Sequence, residues 1–178
     1  MKPPLKQKYM DDYQTPPEAL SPLYSYLPKD WVIWECASGK GKLTMAMREK
    51  GYKVIASDIA LMPELDFLIW QPKKWDCIVT NPPYSLKQEF LERAYSFKKP
   101  FAFLLPLTTL ETPKRQKLFK KYGLEIIFFD KRINFQTPSG KGNGAWFAVA
   151  WFTWGLNIRK ELNWATLKRF HQQTLEAK

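Results

Sequence analysis

Trp31-Val32-Ile33-Trp34-Glu35-Cys36 runs into Ala37-Ser38-Gly39-Lys40-Gly41, and after the stretch 42–50 the chain turns at Gly51 into a second apolar run, 52–56, closed by Ser57-Asp58. The first run is too short for a helix and is bounded by small residues, which predicts a buried strand. The glycine-rich turn predicts a sharp reversal into a helix over 42–50, and Gly51 stops that helix. Strand, tight turn, helix and strand make a βαβ unit, so the two strands are expected to run parallel.

The alternation continues outward in both directions. Towards the C-terminus, Asp66-Phe67-Leu68-Ile69 reads as a strand, and 75–80 as another that runs into Asn81-Pro82-Pro83-Tyr84. A helix is predicted over 86–97, with Phe90, Leu91, Ala94 and Phe97 on one face. Strands are predicted at 101–105, 124–129 and 146–152, a basic helix at 113–122, and a weakly amphipathic helix from Arg159 onward. Towards the N-terminus, Thr15 is placed to cap a helix over 19–27, with Pro16 or Pro17 in its first turn and Glu18 at capping-box spacing. The sum is an α/β, Rossmann-like domain over 1–178: about seven mostly parallel strands with helices on both faces, an N-terminal segment 1–30 and a helical tail 156–178. Such sheets bind ligands at the carboxyl ends of their strands.

Composition narrows the function. The 178 residues carry 28 Lys and Arg against 17 Asp and Glu, a net charge of +11, with 45% apolar and 16% aromatic residues. That balance suits one globular domain with a polyanionic partner, nucleic acid first and an anionic membrane surface second; charge alone does not choose between them. One histidine, His171, and two cysteines, Cys36 and Cys77, cannot supply the usual zinc frameworks, so no metal is expected. The cysteines sit in apolar runs and read as reduced core residues in a cytoplasmic protein. Neither a signal peptide nor a membrane span is expected.

The strand ends carry the chemistry. The turn 37–41 lets backbone approach a ligand closely, strand-to-helix punctuation being the alternative. It is neither a P-loop nor a full dinucleotide fingerprint, since Thr44 stands where a third glycine belongs. Asp58, at the end of the second strand, is suited to the two hydroxyls of a ribose. Asp66 beside Phe67 is suited to the amine and the face of an adenine. Asn81-Pro82-Pro83-Tyr84 is the strongest signal: two prolines fix the backbone and remove donors, leaving the Asn81 side-chain oxygen and the Pro82 carbonyl as acceptors beside the π face of Tyr84. Two acceptors and a ring suit a planar, amine-bearing base.

This series resembles the S-adenosylmethionine-dependent amino-methyltransferases, and most closely the small N6-adenine DNA methyltransferases of bacteria and their phages. The resemblance covers 13–155 and implies a class I methyltransferase fold. It implies that Glu35, Gly39 and Gly41 cradle the methionine part of S-adenosylmethionine while Tyr13, Thr15 and Pro16 close over it, and that Asp58 holds the ribose and Asp66 with Phe67 the adenine. Asn81, Pro82, Pro83 and Tyr84 match the family's catalytic tetrapeptide, and Phe135 its second aromatic, which packs against the flipped base. The sequence departs from the pattern at Glu35, where Asp is more common, and it has no stretch long enough for a separate target-recognition domain.

An amine inside a duplex is out of reach, so base flipping is expected. Lys114, Arg115, Lys117, Lys120 and Lys121 form a basic stretch, and Lys131, Arg132 and Lys141 lie in or beside a loop with Gly140, Gly142 and Gly144; phosphate tracking is assigned to them, a solvated charged face being the alternative. The expected partner is DNA ahead of RNA, bound by a monomer. The rivals are an RNA or protein-glutamine methyltransferase carrying the same tetrapeptide, and a basic nucleic-acid-binding module without activity.

Overall fold

The computed structural model describes residues 14–135 and 147–167. Among them, β1 (Val32–Glu35), β2 (Lys53–Ala56), β3 (Cys77–Thr80), β4 (Phe101–Pro106), β5 (Glu125–Phe129), β6 (Val149–Trp154) and β7 (Leu162–Ala165) form one sheet in the order β2-β1-β3-β4-β6-β5-β7. Only β6 runs against its neighbours, β4 and β5; the other pairings are parallel. The helices are α1 (Lys42–Glu49), α2 (Lys87–Ser96) and α3 (Pro113–Tyr122).

Every interior strand is apolar on both sides, as a sheet covered on both faces requires. On one face Ile33, Cys77, Val79, Leu104, Ile127 and Trp151 meet Leu43, Ala46 and Met47 of α1 and Leu20 and Leu23 from the N-terminal segment. On the other, Trp34, Ile78, Phe101, Phe103 and Phe152 meet Phe90, Leu91 and Ala94 of α2, with Leu118 and Phe119 of α3 packed beside them. The two largest buried rings satisfy their N–H groups: the Trp34 indole donates to Ser57 Oγ at 2.9 Å and the Trp151 indole to the Ala19 carbonyl at 2.7 Å.

After β1 the chain crosses by α1 to β2 on one side, whereas β3 returns on the other side of β1 and leads by α2 to β4. Successive crossovers in opposite directions place α1 and α2 on opposite faces and open a crevice where the directions part, at the carboxyl ends of β1 and β3.

Three expectations are corrected. Asp66-Phe67-Leu68-Ile69 forms turns rather than a strand: the Asp66 side chain accepts from Leu68 N at 2.9 Å, and its carbonyl accepts from Ile69 N and Trp70 N. With these bonds made locally, the segment adds nothing to the sheet, and β2 is the edge. The stretch 162–165 in the predicted helical tail is β7, tied to β5 by Ile126 N to Glu161 O at 2.7 Å and Asp130 N to Ala165 O at 3.0 Å. Finally, 19–27 is not a helix. A 3-10 turn, Pro17–Leu20, gives way to successive turns, because Pro22 has no N–H for the Glu18 carbonyl and its ring clashes with that turn. Pro16, not Thr15, stands at the N-cap, without a side-chain bond. Residues 168–178, including His171, lie outside the described residues, as do Tyr13, Gly140, Lys141, Gly142, Gly144 and Trp146.

Candidate active site

Three strand ends and one turn build a cavity of about 380 Å³ at the crevice, within the range of small-molecule sites, about 300–1,000 Å³. The turn comes first. Gly39 and Gly41 have φ of +50° and +76°, a region that L side chains disfavour, and Gly41 in the left-handed conformation begins α1. Gly39 N then donates to Asp58 Oδ2 at 2.7 Å, while Ala60 N donates to Asp58 Oδ1 at 2.8 Å. Asp58 is thereby fixed across the mouth of the turn, each oxygen retaining a lone pair for a ligand.

Glu35 closes β1 beneath the turn and is 1% exposed. Thr44 Oγ1 from α1 donates to one carboxylate oxygen at 3.0 Å, and Thr80 Oγ1 from β3 to the other at 3.2 Å. Burial pushes the carboxyl up to about 8; the two threonine bonds pull it back and the negative Asp58 adds to the rise. Burial also pushes both thiols up, Cys36 with help from Glu35 and Cys77 with help from Asp76. Both cysteines are free and buried, as their placement in apolar runs implied.

Asp66 and Phe67 lie on the same wall although they are not in a strand. The ring of Phe67 stacks on Phe90 at 4.4 Å and is itself almost wholly buried. Asn81 and Pro83, immediately after β3, complete the wall, whereas Pro82 is buried behind it. Tyr84 begins a 3-10 turn, Tyr84–Leu86, beside the cavity and not on its wall; its ring meets Phe147 edge-on, with centroids 5.6 Å apart. Thr15 and Gln14 form the N-terminal side of the wall, and Thr15 Oγ1 is buried with no hydrogen-bond partner among the described residues.

Of the predicted site residues, the fold therefore brings together Thr15, Glu35, Gly39, Asp58, Asp66, Phe67, Asn81 and Pro83 on one cavity, with Gly41 and Tyr84 adjoining and Pro16 next to Thr15. Two of the predicted residues stand apart from this cavity. Phe135 is 1% exposed in the core with Ile133 and Trp151, so no face of it is open to a base. Arg115 is 8% exposed; its guanidinium donates to the carbonyls of Thr109 at 2.5 Å and Thr108 at 3.5 Å, anchoring α3 to the preceding turn instead of meeting phosphate. Lys114 pairs with Glu92 at 3.0 Å, the one ion pair among the described residues, and Lys131 and Arg132 are exposed. Sequence reasoning missed Thr44 and Thr80, which hold Glu35, the wall residues Leu86 and Phe90, and Phe147, the ring beside Tyr84. Thr80 adjoins Asn81 and Phe90 belongs to a predicted apolar face, so both carried a signal; Phe147 carried none.

No family model matches the chain, and no curated protein matches it. Solved structures do. A protein of Pyrococcus horikoshii assigned as an RNA methyltransferase is 16% identical, with a TM-score of 0.58 over 84% of this chain and 88% of that one. A dimethyladenosine transferase from Plasmodium falciparum is 14% identical, with a TM-score of 0.53 over 79% of this chain and 62% of that one. A Vibrio vulnificus protein assigned as the modification subunit of a type I restriction enzyme is 11% identical, with a TM-score of 0.51 over 80% of this chain and 44% of that one. This chain thus spans less than two thirds of the last two. At such identities the likeness is one of fold: the chain has the Rossmann-like architecture that these methyltransferases share.

Proposed function

We propose that this chain transfers a methyl group from S-adenosylmethionine to the exocyclic N6 amine of adenine in DNA, with the target base flipped out beside Asn81-Pro82-Pro83-Tyr84. The observation that carries the reading is the meeting of Asn81 and Pro83 with Gly39, Asp58 and Asp66 on the wall of one cavity.

The residues present fit the cofactor. Thr15 offers a buried hydroxyl with no bond partner among the described residues, Asp58 a carboxylate with spare lone pairs for ribose hydroxyls, and Phe67 and Leu86 an apolar wall for an adenine beside Asp66. Glu35 and Gly39 line the same cavity and are assigned the methionine part. When bound, the cofactor supplies an electrophilic methyl on a positive sulfur, so the protein has to align and needs no nucleophile of its own. Its side chains do the rest. An adenine amine is a poor nucleophile because its lone pair is delocalised into the ring. Asn81 Oδ1 and the Pro82 carbonyl, each accepting one amine hydrogen, favour a pyramidal nitrogen whose lone pair is freed for in-line attack, and the surplus amine proton is lost to water after the methyl has moved. Tyr84 stacks on the base and offsets part of the few kcal/mol that extrusion costs.

RNA is the second acceptor. The P. horikoshii protein, assigned to RNA, and the V. vulnificus protein, assigned to restriction and modification, share this fold to similar extents, and the tetrapeptide suits either. The deciding experiment supplies labelled S-adenosylmethionine to unmethylated DNA, RNA and protein pools and digests the labelled pool; N6-methyladenine from DNA is expected. Asn81→Ala should lose transfer at least a hundredfold while S-adenosylhomocysteine still raises its Tm, and Asp58→Ala should lose that Tm shift. Full turnover by Asn81→Ala refutes the assigned chemistry.

A further inference from the structure

β7 is the far edge of the sheet, and its side chains alternate. Ala165 packs towards the α1 face, while Trp164 and Leu162 point to the α2 and α3 face, beyond the reach of either helix. Trp164 is 77% exposed, the highest value of any large apolar side chain among the described residues. Its ring is nevertheless held. It is paired across the ladder with Phe128 and stacks on that ring at 4.7 Å and 23°, so one face is backed and the other is open. A backed indole presenting a free π face to water has the form of a stacking surface.

Charge identifies what it stacks. Lys131 and Arg132 follow β5, and Arg159 and Lys160 lead into β7, so cations stand at both ends of this shelf, all exposed and none in an ion pair among the described residues. Asp130 Oδ1 accepts from Leu167 N at 3.0 Å, and the four cations outnumber the nearby acids Glu125, Asp130 and Glu161. A second copy of a chain with a net charge of +11 would be repelled from such a surface. An aromatic plate with exposed cations at both ends is instead the composition of a single-strand nucleic-acid contact.

We infer that Trp164 stacks an unpaired base of a bound single strand, on the flank of the target base and several nucleotides from it. The inference rests on the nucleic-acid reading above and adds a second contact to it. The spacing comes from the sheet. β3 and β7 run parallel and are separated by β4, β6 and β5, four strand steps of about 4.8 Å or about 19 Å, a distance that takes several nucleotides to cross.

The test measures Kd by fluorescence anisotropy for labelled single strands carrying one adenine with flanks of two to twelve nucleotides on either side, and methyl transfer at saturating strand. Affinity should rise about tenfold once one flank is long enough to span that distance. Trp164→Ala should lose that step, keep its Tm, and retain the wild-type Kd and kcat on the shortest strand; Trp164→Phe should keep most of the step. A step that persists in Trp164→Ala, an equal loss on short and long strands, or a change in oligomeric state in place of nucleic-acid affinity overturns the inference. Methylation of short strands with no length step sinks this contact alone, whereas absence of binding at every length sinks it together with the nucleic-acid reading.

Discussion

Glu35 is the acid of the site most completely removed from water, and that burial makes it a pH-dependent element of stability. Its carboxyl ordinarily titrates near 4.5 and is pushed up to about 8 in the folded chain, chiefly by burial. Below about 4.5 it is neutral folded and unfolded alike, and its full contribution is present. Between those values the folded state holds a proton that the unfolded state has released, so stability falls as pH rises through the interval and levels off above about 8. Glu35→Gln keeps the shape and the hydrogen-bonding to Thr44 and Thr80 while removing the titration. Thermal melts from pH 5 to pH 8.5 should show a declining Tm in the wild type and a flatter profile in the variant; parallel profiles would mean that Glu35 does not titrate in this interval. At the same scale, the placement of Asn81 and Pro83 at the end of β3 was legible because a strand that runs into two prolines is a pattern of adjacent residues. The burial of Arg115 was not legible: its carbonyl partners belong to the preceding 3-10 turn, and a cation on a basic helix gives no sign of which way it points.

Among the elements, the turn before α1 is the one most directly written into the chain. Gly41 begins the helix with φ +76°, and nothing lies within 4 Å of where a Cβ would stand. Gly41→Ala therefore meets no clash, and its effect is conformational, roughly 1–2 kcal/mol for an L residue in the left-handed region. That corresponds to a Tm drop of about 2–8 °C for a chain of this size, and Gly41→Asn should recover part of it. An unchanged melt in Gly41→Ala would show that the turn relaxes elsewhere. β1 to β6 were legible because apolar runs bounded by glycine or proline encode strands locally. β7 was not, because Leu162–Ala165 has too few residues for any period, and its conformation is set by hydrogen bonds to β5, some 36 positions earlier. Asp66–Ile69 failed in the opposite sense: an apolar run looked like a strand, yet an aspartate at its head captured the backbone N–H groups that a ladder needs.

For the whole molecule, a net charge of +11 with a single ion pair among the described residues leaves a surface that attracts phosphate and is screened by salt. Single-strand affinity should fall steeply between 50 and 200 mM salt, and replacing both Lys131 and Arg132 by Ala should reduce the slope of log K against log salt by about 1.4. Arg115→Ala should leave that slope unchanged and lower the Tm, since its guanidinium serves two carbonyls. An equal loss of slope in Arg115→Ala would return that residue to the phosphate surface. The amino-acid sequence by itself determined the alternation of β1 to β6 with their helices, the glycine turn, and the acids and the tetrapeptide that follow β1, β2 and β3, because each depends on residues a few positions apart. Only the tertiary structure decided that Phe135 is core, that Phe147 stands beside Tyr84, and that a fourth parallel pairing exposes Trp164. Those outcomes depend on which distant surfaces meet, and no local pattern of side chains specifies the partner that will cover or uncover a ring.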